Sequence, residues 1–350
     1  SAMDGYAVRV EDAGSGVLPV GGETPAGAPP TRLGRGEAIR VSTGAAVPEG
    51  ADAVIPRELV VEHRDRIEIS ERSSVSPGDH IRRRGENGDV GRTVAEAGQF
   101  ITPPVLAAIT STGRERVRVF RALRVGVVCT GDEVIRAGDT PEAWQLRDGN
   151  ASALEALLRG AAWIGAVDAL RVRDDPKALE MEIGTLLESC DAILLSGGVS
   201  VGDHDHVPRA LRALGVQTVF HGLPIRPGKP VLGGVTGDGR PVLGLPGNPV
   251  STLVTARVLA IRALRARAGA AEAHGWSTVE VQGDARAPAS LTWFALCRLG
   301  PGESAQLIAG RGSGDWVAAP VSDGLVGVRP GEAAAGRGRF IPGGITGGTP

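Results

Sequence analysis

The stretch DAILLSGGVSVGDHD, residues 191–205, decides how the rest of the chain is read. Five consecutive apolar or small residues, Ala192 to Ser196, read as a strand buried on both faces, which is the pattern of a parallel sheet. Two glycines follow at once, and they let backbone N–H groups approach a ligand closely while Ser196 and Ser200 offer hydroxyls. An ordinary strand-to-helix turn would also carry glycine. The acidic tail of Asp203 and Asp205 points beyond that reading, because carboxylates beside an anion nest would repel phosphate unless a metal lay between.

Working outward, three more apolar runs end in similar segments: TGDE at 130–133, PGKP at 227–230 and LPGNPVS at 245–251. Ligands of open α/β sheets bind outside the carboxyl ends of the strands. Four such ends bearing Gly, Ser, Thr, Asp, Glu and Lys describe one pocket for a polyanion and a divalent cation. Oxygen donors without cysteine favour Mg²⁺. Asp203 and Asp205 alternate with His204 and His206, but the spacing of a transition-metal site is missing. Asp174 and Asp175, before Pro176, fit a helix cap as well as they fit a ligand role. Arg226 and Lys229 share a short proline-bounded loop suited to an anion, although a solvated turn would look alike. In LPGNPVS two prolines fix the chain around Gly247 and Asn248, and Ser251 falls in the first turn of the next helix.

The flanking regions have other rhythms. Residues 1–86 carry short β-like runs, YAVRV, EAIRVST, DAVIPRELVVEH and RIEIS, the last in strict alternation. Residues 87–120 form a smaller linking stretch, with a short helix opened by Thr102 and Pro103. Residues 121–268 alternate β and α: LRVGVVCTG as strand, then a helix capped by Asn150 or Ser152, and further pairs ending in a helix after LPGNP. Residues 269–350 return to β-runs. The expected architecture is therefore a multidomain α/β and β protein.

Composition narrows the function. The 350 residues include 52 Gly and 24 Pro, without repeat or low complexity, which fits many short strands and turns. Only five Trp, five Phe and one Tyr are present and the net charge is −2, so neither base stacking nor attraction to nucleic acid or anionic membrane is expected. Three separated cysteines exclude a disulfide framework and fit a reducing compartment. No apolar run approaches the roughly 18 residues of a membrane span, so a cytoplasmic protein is expected. Ser1 opens inside what reads as an ordered motif, as though sequence preceded it.

The segments SAMDGYAVR at 1–9, RVSTGAAVPEGADAVIPRE at 40–58, TGDE, SGGVSVGDHD, IRPGKP and LPGNPVS, in that order, resemble the MoeA family. That family comprises molybdopterin molybdenumtransferases and includes the E-domain of gephyrin and its plant counterpart. The resemblance implies a β-module at 1–86, a linking module at 87–120, a MogA-like α/β domain with a mostly parallel sheet at 121–268 and a C-terminal β-barrel at 269–350. It implies an enzyme taking adenylylated molybdopterin, handed over by a MogA-type adenylyltransferase, and molybdate, with Mg²⁺, to give molybdenum cofactor and AMP. It also implies a homodimer whose cleft is shared between subunits. By position, Asp205 and Glu133 match metal-binding carboxylates, and Asp4, Thr43 and Asp174 match further catalytic positions. Ser196, Gly197, Gly198, Ser200, Pro246, Gly247, Asn248 and Pro249 fall on substrate-binding segments. Arg226, Lys229, Ser251 and Ser313 fall on the molybdate site. Arg226 stands where the family often has Lys, Asn87 where RGED has its acid, and Arg298 is out of register with an arginine of eukaryotic relatives. Two other readings are an adenylyltransferase of MogA type and a non-catalytic scaffold.

Overall fold

A computed structural model of the chain describes residues 1–70, 74–200, 205–271 and 277–343. Asp203 and His204 therefore lie outside the described residues. The chain divides into two compact units, Ser1–Thr93 and Val94–Pro350.

The first unit is a β-module. Its elements are β1 (Gly5–Val8), α1 (Val10–Ala13), β2 (Val17–Thr24), β3 (Ala38–Val41), β4 (Ala53–Pro56), β5 (Val60–Glu62) and β6 (Arg66–Ile69). They form one sheet in the order β4-β1-β3-β2-β6-β5. Tyr6, Val8, Leu18, Ile55 and Ile67 fill one core on it, and Ala7, Leu33, Ile39, Val41 and Val54 fill another. The strand β2 has no signature in the sequence, because Pro19, Gly21 and Gly22 interrupt its apolar alternation.

The second unit opens with α2 (Pro103–Ser111), whose proline sits in the first turn where its missing N–H costs nothing. Then come β7 (Leu123–Thr130), β8 (Val134–Ile135), β9 (Leu146–Arg147), α3 (Asn150–Arg159), β10 (Ile164–Val172) and α4 (Pro176–Ser189). They are followed by β11 (Ala192–Ser196), α5 (Val207–Ala213), β12 (Gln217–His221), β13 (Ile225–Arg226), β14 (Leu232–Val235) and β15 (Pro241–Leu245). A long helical segment ends the series as α6 (Pro249–Thr255), a π-helical turn at Ala256–Ala260 and α7 (Ile261–Arg267). The central sheet runs β10-β7-β11-β15-β14-β12. Its first four strands are parallel, and β14 and β12 add an antiparallel edge.

Both faces of this sheet are covered. One core joins Val125, Val127, Leu194 and Leu243 to Leu154 and Leu158 of α3 and to Ile261 and Leu264 of α7. The other joins Val128, Ile193 and Leu195 to α4 and α5 through Leu179, Ile183 and Leu211. Alternate residues of β11 thus enter opposite cores, which is why AILLS is apolar throughout. From β7 the chain crosses by α3 to β10 on one side, then by α4 to β11 on the other. The strand order reverses between β7 and β11, so their carboxyl ends flank the crevice where such sheets bind ligands.

Five strands, β16 (Ser277–Gln282), β17 (Thr292–Leu299), β18 (Ser304–Leu307), β19 (Gly324–Val328) and β20 (Gly336–Pro342), follow. Pairing runs β17-β18-β16-β20-β19 and returns from β19 to β17, which closes a five-stranded barrel. The short β13 pairs with β17 in parallel, Ile225 with Thr292 and Arg226 with Trp293. Val250, Val254 and Val258 also pack on Leu325 and Ile341 of the barrel. The IRPGKP loop and the helix after LPGNP are therefore both anchored on the C-terminal barrel.

Candidate functional site

Two clefts open where the strands of the α/β domain end. The first, about 430 Å³, is lined by Thr130, Gly131 and Glu133 after β7, Ser196 to Ser200 after β11, Pro246 to Pro249 after β15, and Asp148, Asn150, Asp174 and Asp205. All eight residues expected on substrate-binding segments line it, with Glu133, Asp174 and Asp205. Gly197 is required by shape. Its φ is +95°, and a Cβ there would sit 2.3 Å from the carbonyl oxygen of Thr130. Gly197 N donates to the Leu245 carbonyl at 3.2 Å, so the end of β11 is held against that of β15.

Ser196 differs from its expected role. Its side chain is 2% exposed. The hydroxyl accepts from Asn150 Nδ2 at 2.9 Å and lies 3.4 Å from both the Pro246 carbonyl and Thr252 Oγ1. Those contacts spend the hydroxyl on holding the loops together, and Ser200, which is exposed, is the serine open to a ligand.

The two aspartates before α4 divide the roles that the sequence left open. Asp175 is the cap, accepting from Ala178 N at 2.8 Å. Asp174 turns into the cleft, where Oδ1 accepts from Thr130 Oγ1 at 3.3 Å. Burial raises its carboxyl above the usual range, Asp132 and Asp205 add to that, and His206 and Thr130 oppose it. The expected cap of α3 is also corrected. The N-cap position is Gly149, and Asp148 Oδ1 accepts from Ala151 N at 2.9 Å, which frees the Asn150 amide. Cys129 lies on the cleft floor, where burial above all, and then Asp148, holds its thiol protonated.

Among the described residues no group of three His, Cys, Asp or Glu side chains could hold a metal ion alone. The donor set still fits Mg²⁺. That ion keeps several waters and binds through one or two carboxylates plus substrate phosphates, and Glu133 and Asp205 line the same cleft as the glycine nest.

The second cleft, about 460 Å³, shares Pro230, Pro246 and Asn248 with the first as a common wall. Arg226, Lys229, Ser251 and Ser313, the four residues expected at an oxyanion, all line it. The guanidinium of Arg226 lies over the Trp293 ring, 5.9 Å from its centroid, so the barrel orients this cation. Gly228 permits the loop its turn: φ is +104°, and a Cβ would meet Thr255 Cγ2 at 2.3 Å. Ser313 comes from the barrel domain and is held by LPGNPVS itself, its Oγ accepting from Asn248 Nδ2 at 3.0 Å and its carbonyl from Val250 N at 3.0 Å. Arg298 donates to the Val321 carbonyl at 3.1 Å and does not line this cleft.

In the first unit, Asp4 Oδ1 accepts from Thr43 N at 2.6 Å and from Thr43 Oγ1 at 2.9 Å. The backbone N–H and then the hydroxyl of Thr43 hold the Asp4 carboxyl below its usual value, with Arg57 and Arg40 adding to the effect. Both sequence-selected residues thus form one small cluster beside Arg40, Arg57 and Glu62. Asn87, where the family has an acid, accepts from Arg82 at 3.3 Å.

Residues 1–113 match the family described as MoeA N-terminal region (domain I and II), and residues 126–266 match the probable molybdopterin binding domain. Molybdopterin molybdenumtransferase 2 of Mycobacterium tuberculosis is 37% identical over 286 residues, covering 77% of this chain and 68% of the relative. The chain belongs to the MoeA family. The molybdopterin molybdenumtransferase of Haemophilus influenzae is 38% identical over 262 residues, and the match spans 63% of its length. Two solved structures of the molybdopterin biosynthesis MoeA protein of Pyrococcus horikoshii superpose with TM-scores of 0.76 and 0.79 at 29% and 26% identity. They cover 98% and 97% of this chain and 87% and 86% of their own.

Within this MoeA chain the residues that sequence reasoning missed are Asn150, Asp148, Trp293 and His221. The last, at the end of β12, holds the glycine loop by a 2.8 Å hydrogen bond between Nε2 and the Val199 carbonyl. Only Asn150 had a local signal, the DGN tripeptide before a helix, and it read as a cap. A wide concavity at the opposite, amino ends of the strands has no comparable chemistry: Arg121 pairs there with Asp191 and Arg240 with Asp238.

Proposed function

We propose that the chain is a molybdenum insertase, taking adenylylated molybdopterin and molybdate and yielding molybdenum cofactor and AMP. The observation that carries this reading is the pair of clefts with a common wall. One combines a glycine nest with carboxylates, and the other brings two cations and two serines to one small space. The first suits a phosphoric anhydride, the second a tetrahedral dianion. Their shared wall at Pro246 and Asn248 would put the two reactants side by side, which is what metal delivery to the dithiolene requires. The MoeA N-terminal match and the closed barrel favour this over an adenylyltransferase of MogA type.

Asp205 and Glu133 are the residues that would hold Mg²⁺, which supplies charge neutralisation and Lewis acidity to anhydride cleavage. Asp174, whose carboxyl burial raises above the usual range, stands beside them as the group placed to carry a proton. Ser200 and the amide of Gly198 receive the phosphates, while the Gly197 amide stays on the Leu245 carbonyl. Arg226 and Lys229 bind the oxyanion, with Ser251 and Ser313 on the facing walls. The dithiolene provides the sulfur chemistry, consistent with a cleft whose one thiol stays protonated. Asp4 and Thr43 belong to a further part of the site, completed by a second copy in a homodimer. Three free, buried cysteines and the absence, among the described residues, of a helix able to cross a membrane fit the cytoplasm, where a MogA-type enzyme would hand over the substrate.

The test is a titration of the protein with adenylylated molybdopterin and Mg²⁺, with and without molybdate, following AMP. Molybdate-dependent formation of cofactor together with AMP is expected. Lys229→Ala should lose roughly ten- to a hundredfold in molybdate affinity, the scale of a charge-assisted contact, with adenylate affinity little changed. Formation of adenylylated molybdopterin and pyrophosphate from molybdopterin and ATP, with no molybdate-dependent cofactor formation, would transfer the chain to the adenylyltransferase class.

A further inference from the structure

Asn150 does not cap its helix, and what its amide does instead links the two clefts. The Nδ2 group donates to Ser196 Oγ at 2.9 Å and to the Gly247 carbonyl at 2.7 Å. A carbonyl only accepts, so the N–H₂ end of the amide faces it, and both protons are spent within the protein. One side chain on α3 therefore ties the end of β11 to the loop after β15. The tie continues inward: Thr252 Oγ1 donates to the Pro246 carbonyl at 2.6 Å and approaches Ser196 Oγ at 3.4 Å. The two loops also touch directly, since a Cβ on Gly247 would lie 3.5 Å from the Gly197 Cα. The peptide that Asn150 grips, Gly247–Asn248, belongs to the wall between the clefts. Gly247 lines the acidic one, and Asn248 lines both. From Asn248 the chain of contacts passes through Nδ2 to Ser313 in the cationic cleft.

We propose that Asn150 is a positioning residue that holds the shared wall of the two clefts in register. Through it, the glycine nest at Gly197 and the oxyanion cleft at Ser313 keep one geometry, so the fit of the anion depends on a side chain in the other cleft. The clamp stands on the contacts alone, and its role in turnover rests on the functional reading above.

The experiment has two arms that need no turnover. Hydrogen exchange of the free protein is compared between wild type, Asn150→Ala and the near-isosteric Asn150→Asp, which has no N–H to give to Gly247. Segments 196–200 and 245–250 should exchange roughly tenfold faster in both variants, the scale of one or two lost hydrogen bonds, while β7 and the body of α3 are unchanged. Calorimetry with molybdate alone should show affinity lower by roughly tenfold in both, although Asn150 lines the other cleft. In AMP release, kcat should fall with KM for the adenylate nearly constant, as expected for a residue that orients others. Wild-type exchange in both segments, acceleration spread evenly over the domain, or wild-type molybdate affinity in Asn150→Ala would each overturn the proposal. If wild type itself releases no AMP, the insertase reading fails while exchange and calorimetry still decide the clamp.

Discussion

At the scale of single residues the two aspartates proposed for function, Asp4 and Asp174, are pushed in opposite directions. Asp4 is held as a carboxylate by two donors of Thr43, whereas burial favours the neutral form of Asp174. A group whose pKa is raised by folding stabilises the fold most when protonated. Its contribution is complete below the ordinary value of 3.8 and is lost as pH rises through the raised one. Asp174→Asn keeps an oxygen to accept from Thr130 and removes the half-buried charge. It should therefore be more stable than wild type at pH 7, with Tm higher by about 1–3 °C, and lose that advantage below about pH 4. AMP release should fall in the same variant. Thermal unfolding across pH checks this, and a Tm below wild type at pH 7 would show that the carboxylate is stabilising where it stands.

At the scale of elements, what was legible depended on how local the cause was. The strands β7, β11 and β15 are apolar over most of their length, Arg124 of β7 being the exception, because both faces are covered, and the sequence reads them directly. The edge strand β10 keeps Asp168 and Arg171 in a half-exposed alternation, and β14 carries Gly233 and Gly234, so neither has a clear signature. All five barrel strands are visible as β-runs, but the β17–β19 pairing that closes the barrel joins residues about thirty apart and leaves no local trace. The strand-end glycines are the opposite case. Gly197→Ala forces a left-handed φ and a clash with the Thr130 carbonyl, and should destabilise by roughly 1–3 kcal/mol. Gly138→Ala has open space around its Cβ and should be near neutral. Denaturant midpoints measure both. Equal midpoints for the two variants would mean that the loop after β11 relaxes around an added methyl group without cost.

For the whole molecule, the distribution of proposed residues along the chain raises the question of assembly. The carboxylates, nest and oxyanion ligands of the two clefts come from residues 129–313, within the second compact unit. Asp4 and Thr43 belong to the first unit, where they are already paired with each other. Much of the cleft chemistry was therefore legible, because strand ends in a parallel sheet must converge. Whether a separate β-module contributes to them was not, since no local pattern encodes it. The homodimer proposed above would complete each cleft with the partner's β-module, one two-fold operation serving both sites. In that arrangement an Asp4→Ala subunit still carries an intact α/β cleft, and an Asp205→Ala subunit still carries an intact β-module. Each variant alone should be inactive. Mixed and allowed to exchange subunits, they should recover about a quarter of wild-type AMP release per site, since random pairing makes half the dimers mixed and each mixed dimer holds one complete site. Mass spectrometry of the exchanged dimers, with one chain isotopically labelled, verifies that exchange took place. If mixed dimers form and release no AMP, the proposal that the partner's β-module completes each cleft fails.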